Sequence, residues 1–144
     1  MTTLSKTVNA TPEQVWEILA DGWLYPLWVV GASRMRDVDD TWPEVGAQLH
    51  HSVGTWPVLI DDTTEVTECR PMRGLTLRAR AWPTGEAAVE IELVPEGDGT
   101  TIRMSEDAVS GPALLTPKPV RGMGLRWRNT ETLQRLAYLC ERRP

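Results

Sequence analysis

The sequence predicts an α+β fold, a curved antiparallel sheet of about seven strands around a long C-terminal helix, with two short helices after the first strand. Three observations carry this. Between residues 33 and 108 apolar and polar residues alternate in short runs, the period of a sheet with one wet face. Turn-forming residues break those runs at short intervals, which joins consecutive strands as an antiparallel meander. Beyond a proline-bearing stretch, apolar residues recur at helical spacing to the end of the chain.

Taken in order, Leu4–Asn9 reads as a first strand. Thr11 then caps a helix, with Pro12 at its first position and Gln14 placed to close a capping box. Val15, Trp16, Ile18 and Leu19 form its apolar side, and Asp21-Gly22 ends it. A second short helix or turn covers Trp23 to Trp28, interrupted by Pro26. Strands follow at Ser33–Val38, Ala47–Val53, Val58–Cys69, Leu75–Trp82, Ala87–Val94 and Thr101–Ala108, and the last helix runs from about Val120 to Arg142. A hairpin centred on Thr84 sets Arg78 opposite Glu90, and a two-residue turn at Gly97-Asp98 sets Glu92 opposite Arg103. Leu75, Leu77, Ala79, Val89, Ile91, Leu93, Ile102 and Met104 then share the apolar face. That face needs a cover, and the last helix is the longest apolar stripe available. A curved sheet against one helix leaves a cleft, where small ligands usually bind.

Composition narrows the function classes. The chain of 144 residues fits one domain, spanning 1–144, and is long enough for a core without metal or disulfide staples. A net charge of −5 opposes affinity for phosphate backbones, so no nucleic acid partner is expected. The arginines of the C-terminal stretch read as a solvated helix face. No apolar run reaches the roughly 20 residues that span a bilayer, and no charged-then-apolar leader opens the chain. The expectation is a cytoplasmic protein without a membrane span, monomer or homodimer. Cys69 and Cys140 form no metal-ligand pattern, and read as buried thiols or as one disulfide. There is no Phe but there are seven Trp, which either fill the core or line a cavity.

The stretches Val8-Asn-Ala-Thr-Pro-Glu-Gln-Val-Trp16 and Asp21-Gly-Trp-Leu-Tyr-Pro-Leu-Trp28 carry a family likeness, with Gly46, Trp56-Pro57, Thr64-Glu-Val66 before Arg70-Pro71, and Arg126-Trp-Arg-Asn129. In these residues the chain resembles the START-like, SRPBCC helix-grip superfamily, in its polyketide cyclase/dehydrase-like branch. The resemblance spans nearly the whole chain and implies the helix-grip fold. The superfamily includes lipid carriers, hormone receptors, cyclases and hydrolase-like members, so the likeness does not transfer a reaction.

Two side chains are candidates for chemistry. Strand parity turns His51 inward with Leu49 and Val53, opposite Ile60 and diagonal to Asp62. His50 is left outside, opposite Asp61. An inward imidazole orients a ligand carbonyl or acts as a general base; the alternative is a core histidine bonded to a backbone carbonyl or to Asp62. Glu106 falls on the inward row opposite Val89 and next to Ala79, where desolvation raises a carboxyl pKa as functional sites often require. Its alternative is a wet rim, if the strand ends or bulges near Ser105. A His51–Glu106 dyad is not expected, because three strands lie between theirs at about 4.8 Å spacing.

Trp28, Trp56, Ile60, Leu77, Trp82, Ile91, Met104, Met123 and Trp127 join His51 and Glu106 as candidate ligand-lining residues, with Trp23 at the wall or mouth. Asn129 is placed to face inward, where its amide needs a partner. Adjacent histidines on one strand face opposite ways, and there is no phosphate loop, GxSxG or HExxH, so neither metal nor cofactor is expected. The leading expectation is binding or carriage of an apolar or aromatic small molecule, lipid- or polyketide-like, between sheet and last helix. The alternatives are a cofactor-free cyclase or dehydratase using His51 or Glu106 for proton transfer, and an interaction protein whose pocket its own Trp residues fill.

Overall fold

In the computed structural model the described residues are 2–28, 32–55, 58–81, 85–110 and 118–142, with backbone alone at 2, 32–36, 51–55, 58–62, 80–81, 85, 107–110, 118–128 and 142. Strand β1 (Thr2–Val8) leads into α1 (Pro12–Leu19), a 3-10 turn (Gly22–Leu24) and α2 (Tyr25–Trp28). Strands β2 (Ala32–Val38), β3 (Gln48–Thr55), β4 (Val58–Arg70), β5 (Gly74–Ala81), β6 (Gly85–Glu96) and β7 (Gly99–Ser110) follow, then α3 (Lys118–Arg142). They form one seven-stranded sheet in the order β1-β7-β6-β5-β4-β3-β2, every pairing antiparallel. This is the helix-grip architecture that the sequence predicts.

Local chemistry explains the helical entrance. The Thr11 hydroxyl accepts from the Gln14 amide at 3.2 Å, and the Gln14 side chain accepts from the Thr11 amide at 2.8 Å. These bonds satisfy two of the donors that a helix start leaves open. Val15, Ile18 and Leu19 are buried on the inner side of α1. Asp21 then caps the 3-10 turn by accepting from the Trp23 amide at 3.2 Å. Gly22 is required on steric grounds, because a Cβ there would lie 2.6 Å from Leu49 Cδ2 and 2.8 Å from Val38 Cγ1. The chain passes this close to the sheet only without a side chain.

The sheet's inner face splits into rows. Leu4, Met104, Ile91 and Leu75 stand side by side across β1, β7, β6 and β5, and the last three are fully buried. The next row is Glu106, Val89, Leu77 and Val66. Beyond it comes Ala108, Ala87, Ala79 and Thr64. Leu133, Leu136, Ala137 and Cys140 of α3 complete the core. The C-terminal end of α3 is tied to the end of β1, where Glu141 Oε2 accepts from the Asn9 amide at 3.1 Å.

Several register expectations need correction, although the facing holds. Gly54 and Thr55 stay in β3, opposite Leu59 and Val58, so His51 pairs with Asp62 and His50 with Thr63. Ile60 pairs with Val53. Strand pairing continues where Gly54 suggests a four-residue turn, and the resulting slip keeps the same faces in and out. Arg78 pairs with Ala88, not Glu90, and meets Glu86 at 2.6 Å instead. The Glu92–Arg103 pair is as expected, at 3.6 Å. Both cysteines are free, which removes the disulfide alternative.

Candidate functional site

Glu106 is the buried carboxylate among the described residues, at 5% exposure. β7 continues to Ser110, so Glu106 stands within the strand and not at a wet rim. It lies opposite Val89, whose other neighbour is Leu77; Ala79 stands one row further along, not beside it. Leu77, Ile91 and Met104 are buried on the same face.

The far row differs in size and polarity. Thr64 is buried there, while Ala79 and Ala87 remain half-buried although they share the inner face. These side chains are smaller than the Leu and Ile of the sealed rows and fill less volume. α2 crosses toward this row. The Tyr25 hydroxyl lies 3.3 Å from Thr64 Oγ1, and the Tyr25 and Trp28 rings meet edge to face at 5.2 Å, a favoured aromatic geometry. α2 also packs on α3.

Polar groups in the interior are mostly paired. The Thr100 hydroxyl donates to Ala10 O at 2.8 Å, and Trp42 Nε1 donates to Leu19 O at 3.1 Å. Thr64, Glu106 and Thr132 each have a partner. Among the described residues two donors stand apart: Trp28 Nε1 and Asn129 Nδ2 are buried without a hydrogen bond. Leaving such a donor unmade costs about 1–3 kcal/mol. The helical spacing places Asn129 inward correctly; that Trp28 lacks a partner has no signal in the sequence.

Of the other candidates, Trp56 and Trp82 lie outside the described residues, as do the side chains of His51, Ile60, Met123 and Trp127. The backbone gives His51 the parity of Leu49 on β3 and leaves three strands between it and Glu106. Trp23 is not part of the inner wall. It is 56% exposed and borders an open groove of about 520 Å³ on the outside, with Glu17, Asp21, Asp39, Asp40 and Trp42. The 3-10 turn before α2 is too short for periodicity to assign its faces. On that side His50 Nε2 lies 3.0 Å from Asp39 Oδ1. That bond and the Gln48 amide hold the Asp39 carboxyl below the usual carboxylate range.

Among the described residues no group of His, Cys, Asp and Glu is arranged to hold a metal ion, and no helix is long and apolar enough to cross a membrane. Comparison with known proteins adds the following. A family model described as polyketide cyclase / dehydrase and lipid transport matches residues 2–141. The fold superposes on protein MLL2253 of Mesorhizobium loti with a TM-score of 0.72 at 20% identity, covering 99% of this chain and 98% of that one. StfQ, a di-domain ARO/CYC from the steffimycin biosynthetic pathway, superposes with a TM-score of 0.74 at 12% identity, over 96% of this chain and 49% of its own. DynU16, a protein in the dynemicin biosynthetic locus, gives 0.66 at 22% identity, over 98% of this chain and 47% of its own. At these identities the likenesses show the fold alone. No curated protein matches the sequence significantly.

Proposed function

The chain belongs to the polyketide cyclase/dehydrase and lipid transport family, and from that premise we propose that it binds an apolar or aromatic small molecule between the sheet and α3. The observation that carries this reading is the change along the inner face. Leu75, Ile91 and Met104 are sealed, whereas Ala79 and Ala87 keep exposure on the same side of the sheet. Burial of the ligand's apolar surface supplies the affinity, at about 25 cal/mol per Å² before the costs of association. Of the lining residues expected from the sequence, Leu77, Glu106 and Trp28 stand nearest in register or packing to this half.

A second reading, a cyclase or dehydratase, is favoured by Glu106 alone: a buried carboxylate on the inner face is a suitable proton acceptor or donor. Native mass spectrometry of the freshly purified chain tests the binding reading. A bound small molecule, released by organic extraction, is expected. Ligand-free protein that also fails to take up the neutral dye Nile red would count against it. Turnover of a polyketone chain that is lost in Glu106→Gln, with dye uptake retained, would favour the enzyme.

A further inference from the structure

We infer that Trp28 and Asn129 form a donor pair for the carbonyl oxygen of a neutral ligand, selecting ketones or quinones over carboxylates and plain hydrocarbons. This rests on the binding reading above and gives that ligand its polarity. Both side chains are 2% exposed, and Trp28 Nε1 and Asn129 Nδ2 lack a hydrogen bond among the described residues. Each atom can only donate, so what each lacks is an acceptor.

The fold can pair a buried indole when nothing else is required of it. Trp42 Nε1 reaches Leu19 O at 3.1 Å, and Thr100 and Tyr25 find partners as well. The two unmade donors are not scattered: one lies on α2 and the other on α3, elements that pack on each other, and Trp28 meets edge to face the Tyr25 that reaches the small-residue row. Neither nitrogen is open to water. An acceptor therefore reaches these donors only when their side chains rotate, and binding recovers the hydrogen bonds left unmade in the ligand-free protein.

Charge selects the acceptor. Among the described residues no Lys or Arg side chain is buried, while Glu106 is. An anionic ligand would be desolvated with no described buried cation to pair it, which disfavours burying its charge. Two neutral donors suit a neutral carbonyl.

Equilibrium dialysis of the full chain against three probes on one ring frame tests this: 9-fluorenone, fluorene and fluorene-9-carboxylate. Fluorenone is expected to bind about tenfold more tightly than fluorene, with the carboxylate weakest. Trp28→Phe and Asn129→Leu are each expected to shrink the preference for fluorenone over fluorene about five- to tenfold, read as the ratio of the two affinities within each variant. Equal binding of fluorenone and fluorene by the unaltered chain would overturn the donor pair while leaving the pocket intact. Tighter binding of the carboxylate would overturn the neutral ligand. A lower Tm in both variants with selectivity unchanged would make the two residues structural and overturn the inference. Failure of all three probes to bind would overturn the inference and the binding reading together.

Discussion

The two ends of the sheet's inner face are built from the same strands but hold different things. At the end near the β1–α1 junction, Leu75, Ile91, Ile102 and Met104 are closed over by α1 and by Leu133, Leu136 and Cys140 of α3. At the other end stand Thr64, Ala79 and Ala87, with Glu106 one row away and Tyr25 and Trp28 leaning in from α2. The first end stabilises the fold by apolar burial; the second carries smaller and more polar side chains, of which Ala79 and Ala87 keep part of their surface exposed. On the binding reading proposed above, the ligand would sit over the second end, so that stability and binding would fall to different rows of one sheet.

Substitutions separate the two ends. Ile91→Ala in the closed end is expected to cost about 2–5 kcal/mol, since little can collapse into the void, read by urea denaturation. Gly22→Ala would thrust a methyl onto Leu49 and Val38. It is expected to cost about 1–3 kcal/mol, as overpacking usually does, and to shift the near-ultraviolet circular dichroism of the Tyr25–Trp28 pair as α2 is displaced. Thr11→Ala removes the cap that orients α1 over the closed end and should cost about 1 kcal/mol, leaving dye uptake at the open end unchanged.

Cys140 reports on the seal without altering it. Burial, with Glu141 adding to it, pushes its thiol up from the ordinary 9.0 to about 12. The native state thus favours the protonated thiol. That contribution to stability is fully present below the ordinary thiol value and is lost as pH rises from there toward about 12. Cys140→Ala is expected to flatten the alkaline limb of the stability profile. In the unaltered protein, iodoacetamide at neutral pH should label half-buried Cys69 before Cys140. Equal labelling rates would mean that the closed end opens readily.

Much of this division is legible in the sequence, because alternation fixes which residues share a face. Leu77, Ile91 and Met104 fall inward on parity alone, and Thr11-Pro12 with Gln14 marks the helix start through chemistry that needs no tertiary context. Exact pairing is less accessible. Gly54 reads as turn chemistry in a chain, yet in the fold it sits in β3 opposite Leu59, since ladder hydrogen bonds outweigh local preference. The open end is harder still. Ala79 and Ala87 look like ordinary strand residues, and only their neighbours across β5 and β6 make them a row. Nor can spacing foretell that the Trp42 indole finds a carbonyl while the Trp28 indole does not, because that depends on which backbone atoms pass nearby.

Ala87→Leu tests most directly whether the open end is hollow. Added there, a side chain of that size should enter empty space, leaving stability within about 1 kcal/mol and abolishing uptake of Nile red. Unchanged dye uptake, or a loss of stability of about 1–3 kcal/mol as in a filled core, would contradict it.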